Sequence, residues 1–177
     1  MDNERGFSLV ETMVALLILV FGLMAMAQAF VVGMTHMSTS TFDVIAREKA
    51  REAVESVHTA RDTRTITWAQ IRNVSGGGVF LDGAQPLRGV PGNEGDGLVN
   101  TGDDAGLPMQ SLVTPGPDQL LGTGDDIVQP LTNFTREIEI RDIQGSPSLR
   151  QLRIIMRYSV GSQQRTYQLT TFVSSFS

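Results

Sequence analysis

The chain has 177 residues and a formal net charge of −5, from 14 basic and 19 acidic residues. This length suits one domain, or one domain with an appendage, and a hydrophobic content of 41% is sufficient for a packed core. The absence of cysteine excludes disulfides, thiolate catalysis and cysteine-ligated zinc or iron–sulfur sites. With two histidines a multi-histidine metal centre is not expected, and a mildly acidic chain is a poor general binder of nucleic acid.

The N-terminal part of the chain contains a long apolar run. No charged residue occurs between Glu11 and Asp43, and residues 13–34 contain a single polar side chain, Gln28. As a helix these residues would span about 33 Å, which is enough to cross the core of a bilayer. A cleaved secretory signal is the alternative, although its apolar region is normally shorter and follows a basic stretch, whereas residues 1–6 carry −1.

Glu11 stands at the head of this apolar run. A carboxylate within the bilayer costs about 2.5–3.5 kcal/mol on insertion scales, so a buried Glu11 would need a cationic partner. The alternative is a glutamate in the headgroup region that simply begins the helix. The residue and its position leave both interpretations open.

The sequence Gly6-Phe7-Ser8-Leu9-Val10-Glu11, followed by an uncharged run, resembles the processing signal of type IV pilins and pseudopilins. The sequence from Ala15 through Ala25 is most similar to that of minor pilins of the PilV type. Two features depart from the family's usual pattern. The leader is not basic, since Arg5 is set against Asp2 and Glu4, and the helix contains no proline.

The resemblance implies that a prepilin peptidase cuts between Gly6 and Phe7 and methylates the new N-terminus. Glu11 would pair with the terminal amine of a neighbouring subunit, which supplies the partner that a buried carboxylate needs. It further implies assembly with other pilin subunits through the N-terminal helix, on an assembly platform in the bacterial inner membrane. The chain would first be a single-pass membrane protein with a periplasmic domain, and then part of an extracellular or periplasmic filament.

The helix is expected to continue beyond the membrane as an amphipathic segment. Apolar residues recur at helical spacing with charged residues on the other face, which predicts a stripe that packs on a globular domain. The stripe consists of Ala46, Ala50, Ala53, Val54, Val57 and Ala60. His58 lies off this stripe and is expected to face solvent, and His36 is expected at the membrane interface. Gly22 and Gly33 are either weak points of the helix or sites of close helix packing.

The C-terminal third shows the period-two alternation of half-buried strands in three segments, within 137–141, 152–160 and 166–173. Short glycine-containing turns separate them, so an antiparallel meander is expected. We therefore predict an α+β, pilin-like fold in which a long N-terminal helix packs on this meander. The expected organisation is a leader (1–6), an apolar helix (7–35), an amphipathic continuation (36–64) and a globular β domain (65–177).

The charge is concentrated in residues 76–130, here called the acidic loop. This segment holds eight acidic residues and one base, Arg88, so it carries −7 and the rest of the chain carries +2. It also holds 13 glycines and 6 prolines, a density that predicts turns rather than regular helices or long strands, with one short strand at 79–81.

A repeat with an offset of 22 residues lies inside the acidic loop. Residues 96–104 (DGLVNTGDD, the first copy) resemble residues 118–126 (DQLLGTGDD, the second copy). Clustered carboxylates on a glycine-rich backbone could supply the oxygens that Ca²⁺ prefers, and some type II secretion pseudopilins bind calcium in a comparable loop. The candidate ligands are Asp103, Asp104, Asp125 and Asp126. The alternative is a pair of Asx turns with solvated carboxylates, since the EF-hand spacing is absent.

Three classes of function remain. The first is a structural subunit, a minor pilin or pseudopilin, which acts by helix bundling and Glu11 pairing. The second is a binding module displayed at a filament tip, an adhesin or a DNA-uptake component, with a metal-dependent acidic loop. A type II secretion pseudopilin is a further alternative to the minor pilin. The third, an anchored periplasmic enzyme, is not expected, because the sequence shows none of the GxSxG, HExxH or P-loop motifs.

Overall fold

The computed structural model of the protein describes residues 8–89 and 96–176, with the backbone alone for 35–39. Helix α1 runs from Leu9 to Asp62. It begins where the Ser8 carbonyl accepts the N–H groups of Glu11 and Thr12. It ends at Asp62, two residues before Arg64, whose φ of 58° is in the left-handed region, and the Thr65 N–H donates to the Ala60 carbonyl. The predicted long helix is confirmed.

The chain divides into two compact units, residues 1–41 and residues 42–177. The described part of the first unit is the apolar portion of α1. The second unit contains the rest of α1 and the β structure. Within the described residues the strands are β1 (Gln85–Pro86), β2 (Ser111–Thr114), β3 (Ile127–Pro130), β4 (Phe134–Ile143), β5 (Ser146–Val160) and β6 (Gln163–Ser174).

The C-terminal strands form an antiparallel meander, as the alternation predicts. The sheet has the order β1-β4-β5-β6, and β2 and β3 form a separate antiparallel hairpin. Ile138 lies opposite Ile154, and Ile154 lies opposite Leu169, so the apolar residues of the three long strands share one face. A register shift between Asp142 and Ile143 marks the end of the β4–β5 pairing.

The apolar stripe of α1 covers the inner face of the meander. Ala46, Ala50, Ala53 and Val57 are completely buried, and they belong to the same apolar cluster as the inward residues of the strands. Those inward residues include Ile138, Leu152, Ile154 and Met156. The predicted helix-on-sheet architecture is therefore confirmed, and alanines on the helix allow its backbone to lie close to the sheet.

The connection from α1 to the acidic loop is anchored by Trp68. Its indole Nε1 donates to the Pro147 carbonyl at 3.1 Å, and the Arg150 guanidinium lies 4.2 Å from the centre of its ring. The strand predicted at 79–81 is wrong. Phe80 makes one bridge to Asn73, and the chain between them closes a tight loop that leaves no room for a longer ladder. The Phe80 ring nevertheless belongs to the core.

Candidate functional site

The N-terminal candidate residues are only partly covered by the structure. Gly6 and Phe7 lie outside the described residues, so their predicted cleavage stays a prediction. Glu11 lies in the first turn of α1 and its side chain is exposed. Beside it, the Thr12 hydroxyl donates to the Leu9 carbonyl at 2.8 Å and is satisfied within the helix.

Glu11 belongs to an apolar span that its own chain leaves uncovered. Residues Leu9–Met34 form a 26-residue stretch of α1 with a mean hydropathy of 2.5, long and apolar enough to cross a membrane, and none of it is buried inside the molecule. Among residues 8–89 and 96–176 no cationic group forms an ion pair with Glu11. Such an apolar surface is unfavourable in water.

The first copy of the acidic repeat forms a turn that its own aspartates hold. Asp96 Oδ1 accepts the Leu98 N–H at 2.8 Å, which is an Asx turn. Asp103 accepts the Thr101 hydroxyl at 2.6 Å and the Asp96 N–H at 3.0 Å, and Asp104 Oδ2 accepts the Thr101 N–H at 3.2 Å. The carboxylates thus act as local acceptors for the backbone of their own loop.

The second copy repeats these hydrogen bonds at equivalent positions. Asp118 Oδ1 accepts the Leu120 N–H at 2.9 Å. Asp125 accepts the Thr123 hydroxyl at 2.6 Å and the Asp118 N–H at 3.2 Å, and Asp126 Oδ2 accepts the Thr123 N–H at 3.2 Å. The repeat seen in the sequence is therefore also a repeat of structure.

The pKa values of the aspartates differ with their surroundings. Burial acts to raise the pKa of Asp103, but hydrogen bonds from Thr101 and from the Asp96 backbone outweigh it, so the pKa is lowered. The hydrogen bond from Thr123 likewise lowers the pKa of Asp125. Burial dominates at Asp104 and raises its pKa above the usual value. The first copy therefore carries one carboxylate that burial makes harder to ionise.

The candidate calcium ligands Asp103 and Asp104 lie in the first copy, and Asp125 and Asp126 lie in the second. Within the part of the chain that the structure describes, no group of three or more histidine or acidic side chains is arranged to hold a metal ion. One oxygen in each copy is nevertheless enclosed without a hydrogen-bond partner, Asp104 Oδ1 and the equivalent Asp126 Oδ1. Calcium binding stays a prediction.

The first copy is bonded to Arg136 of β4, whose side chain is fully buried. Arg136 Nε donates to Asn100 Oδ1 at 2.9 Å, and Asn100 Nδ2 donates to the Arg136 carbonyl at 2.9 Å. Arg136 also donates from Nη1 to Glu52 Oε1 at 3.2 Å. One arginine therefore joins the acidic loop, the sheet and helix α1 in a buried polar junction.

Glu52 completes this junction from the helix side. It accepts a hydrogen bond from Lys49 at 2.5 Å and another from the Gln110 side chain at 3.2 Å. Burial acts to raise the pKa of Glu52, but the Lys49 hydrogen bond and the charge of Arg136 outweigh it, and the pKa lies below its usual value. The sequence analysis did not identify this junction. The signal was present, because Arg136 occupies the inward phase of the alternation that Phe134, Ile138 and Ile140 define.

Two further titratable side chains, Tyr158 and His58, are partly enclosed by their neighbours. The Tyr158 hydroxyl donates to Asp43 Oδ1 at 2.6 Å, while its ring stacks on Phe134 at 5.2 Å between centroids. His58 is half-buried rather than fully exposed as predicted, and burial together with Arg61 lowers its pKa. The side chain of His36 lies outside the described residues.

An open cavity of about 460 Å³ lies beside β4, along residues 137–142. Its acidic side chains already have partners. Asp82 accepts the Ser75 hydroxyl at 2.6 Å, Glu139 pairs with Arg153 at 2.6 Å, and Asp142 pairs with both Arg72 and Arg150. These pairs bind the elements around the cavity to one another.

Comparison with known proteins gives one match. The family model described as the prokaryotic N-terminal methylation motif matches residues 1–27. This segment contains Gly6, Phe7 and Glu11 and the first part of the apolar span. No curated protein and no solved structure matches the chain. The match therefore applies to the N-terminal segment.

Proposed function

We propose that this chain, which carries the N-terminal methylation motif of the type IV pilin and pseudopilin family, is a minor pilin or pseudopilin. It is a structural subunit that is processed by prepilin peptidase and incorporated into, or primes or caps, a type IV pilus-like filament. The motif points to a subunit that works by assembly rather than by catalysis. The match does not distinguish the PilV type from other members.

The observation that carries this proposal is the combination of the motif with an uncovered apolar helix. Every residue of the span Leu9–Met34 is exposed within the molecule, and Glu11 lies inside this span. Before assembly the bilayer covers such a span, and in a filament the helices of neighbouring subunits cover it. A subunit's terminal amine placed beside Glu11 would neutralise a carboxylate that is costly to bury alone.

The motif also supports the route that we propose. The chain enters the bacterial inner membrane with residues 42–177 on the periplasmic side and is cut between Gly6 and Phe7. The assembly platform then transfers it from the membrane into the filament. The helix serves as a membrane anchor at the start of this route and as an assembly element at its end.

Mass spectrometry of filaments sheared from cells that make the full chain tests this proposal. The expected result is a mature subunit whose first residue is N-methylated Phe7. Cells that lack the prepilin peptidase serve as the control and should retain the uncut chain in the membrane. A chain that keeps Met1 in peptidase-positive cells, and that is absent from the filaments, contradicts the proposal.

A second candidate function is metal-dependent binding by the acidic loop, as in a tip-displayed adhesin or a calcium-binding pseudopilin. The enclosed, unpartnered oxygens of Asp104 and Asp126 favour it, because a carboxylate oxygen shielded from water lacks compensation unless a cation or donor reaches it. Asp103 and Asp125 lie next to them in the sequence and would supply further oxygens to Ca²⁺.

Calorimetric titration of the full chain in detergent micelles with CaCl₂ tests this second function. A saturable heat that is lost in Asp126→Asn and retained in Asp82→Asn supports a calcium site in the loop. Asp82 is a suitable control because it is an acidic-loop carboxylate outside the repeat. The absence of binding heat at millimolar Ca²⁺ removes the idea.

A further inference from the structure

We propose that the second copy of the acidic repeat is a docking surface for a neighbouring filament subunit, which it contacts through Leu120 and Leu121. This inference rests on the proposed function, since it names one contact within the filament. The partner it requires is a protein surface with an apolar pocket beside an arginine or lysine. The two copies of the repeat supply the reasons.

The first reason is that the copies share one backbone conformation. Gly97 and Gln119 are equivalent and have φ values of 74° and 58°. Asn100 and Gly122 are equivalent and have φ values of 61° and 87°. Left-handed residues at two matched places, together with the matched hydrogen bonds, give the copies the same shape. Each copy therefore presents its pair of apolar residues on a turn of the same conformation.

The second reason is that the apolar pair on this turn is buried in the first copy and exposed in the second. Leu98 and Val99 of the first copy are 2% and 3% exposed and belong to the main core. Leu120 and Leu121, their counterparts, are 61% and 64% exposed. Two adjacent leucines held outwards on a turn form a contiguous exposed apolar feature, which a partner surface would remove from water.

The third reason is the chemistry of the surface on which the first copy packs. The first copy lies on an apolar core next to the buried guanidinium of Arg136. The second copy is in turn strongly acidic, because residues 111–130 contain Asp118, Asp125 and Asp126 and no basic residue. A cationic surface with an apolar pocket complements it, just as Arg136 and the core complement the first copy.

The second copy is also closed by contacts between its own ends. At Gly116 an added Cβ would lie 2.2 Å from the Asp125 carbonyl oxygen, so the two ends of the loop are in close contact. The β2–β3 hairpin closes the loop below, with Thr114 opposite Ile127. A pre-ordered loop loses less conformational entropy on binding than a flexible one. The two copies differ at one position of this contact, because Gly122 has no side-chain amide like the one that Asn100 uses to bond Arg136. Docking of the second copy therefore depends on its leucines and its charge.

Site-specific photo-cross-linking in cells that assemble filaments tests the inference. A photoreactive residue replaces Leu121 in the full chain, and in a matched control it replaces Val74, which is also exposed and lies outside the hairpin. We expect an adduct with an identified filament subunit from position 121 and none from position 74. The attachment peptide on the partner should contain a basic residue, and the adduct yield should fall when salt is raised, because salt screens the charge contact.

A double variant gives an independent readout. Leu120→Ser with Leu121→Ser should reduce the number of incorporated copies by roughly tenfold or more, since two leucines leave the contact. Val74→Ser should not reduce it. Thermal unfolding of the double variant should match that of the unaltered chain, because both side chains are exposed.

The outcomes separate this inference from the function on which it rests. A methylated, incorporated subunit without an adduct at position 121, with equal adducts at both positions, or with an adduct to lipid overturns the docking surface and leaves the proposed function standing. Incorporation of the double variant at the normal level overturns it as well. A chain that keeps Met1 and is absent from filaments overturns the proposed function and this inference with it.

Discussion

Arg136 and Asn100 hold each other by reciprocal hydrogen bonds, each of 2.9 Å, between strand β4 and the first copy of the acidic repeat. Both residues are almost completely buried. The guanidinium also reaches Glu52 of helix α1 at 3.2 Å. The acidic loop is therefore fastened to the body at one copy of its repeat. In the other copy the equivalent apolar pair, Leu120 and Leu121, remains exposed.

We expect Arg136→Ala to be strongly destabilising. The substitution removes the cation of a buried ion pair, leaves Asn100 Oδ1 without its donor and takes one of three donors from Glu52. Loss of one partner of a buried pair typically costs about 3–5 kcal/mol. Denaturant unfolding of the full chain in micelles measures the change, with the single tryptophan, Trp68, as the fluorescent probe. Arg153→Ala on the outer face of the sheet is the control and should cost no more than about 1 kcal/mol. Equal losses for the two variants would contradict the central role of Arg136.

The acid sensitivity of the fold should depend on Glu52. Its pKa in the folded chain lies below the usual 4.5, so the folded state favours the carboxylate. The stabilisation is complete above the usual pKa and is lost as the pH falls through the folded-state value. Glu52→Gln should lower stability at neutral pH and should also flatten the loss of stability in acid.

Stability measured by urea unfolding between about pH 7 and pH 3 checks this expectation. Glu48→Gln is the matched control, since Glu48 lies on the same helix with an exposed side chain paired to Arg51 at 3.3 Å. It should change stability by no more than about 0.5 kcal/mol. An acid profile of Glu52→Gln that runs parallel to that of the unaltered chain would argue against the Glu52 linkage.

Features of the fold and of the acidic repeat could be predicted where neighbouring residues in the sequence carry the pattern. The stripe Ala46–Ala60 and the alternation of β4, β5 and β6 follow from periodicity, and both are confirmed. The repeat was visible because Thr-Gly-Asp-Asp recurs in register. What the sequence did not show is that one copy is buried and the other exposed. That difference depends on Arg136 and α1, which lie far from the first copy along the chain, and the change from Asn100 to Gly122 does not by itself show which copy is buried.

Tyr158 should remain protonated in alkali for as long as the domain is folded. Burial, and then the hydrogen bond to Asp43, raise the pKa of Tyr158 to about 12. Since this pKa lies above the usual 10.0, the stabilisation is complete below pH 10 and is lost as the pH rises towards 12. Tyr158→Phe should remove this alkaline loss and cost about 1.5–3 kcal/mol at neutral pH, because the hydrogen bond to a charged group is lost.

Ultraviolet titration of the phenolate checks the ionisation of Tyr158, and denaturant unfolding checks the cost of the phenylalanine variant. Tyr167→Phe provides the control for the spectral signal, since the chain holds two tyrosines. The stacking on Phe134 is retained in Tyr158→Phe, so the measured loss belongs to the hydroxyl. Ionisation of Tyr158 near pH 10 in the folded chain would be inconsistent with this environment.

Glu11 separates processing from assembly. In Glu11→Ala and Glu11→Gln we expect cleavage after Gly6 to proceed and incorporation into filaments to fall sharply, because the carboxylate that would pair with a neighbouring terminal amine is gone. An uncompensated charge in a buried contact typically costs about 3–5 kcal/mol, which is enough to exclude a subunit. Thr12→Val is the matched control, since the Thr12 hydroxyl bonds only to the Leu9 carbonyl of its own helix among the described contacts. Mass spectrometry of the membrane and filament fractions measures both steps. Incorporation of Glu11→Gln at the level of Thr12→Val would show that Glu11 begins the helix without pairing in the filament.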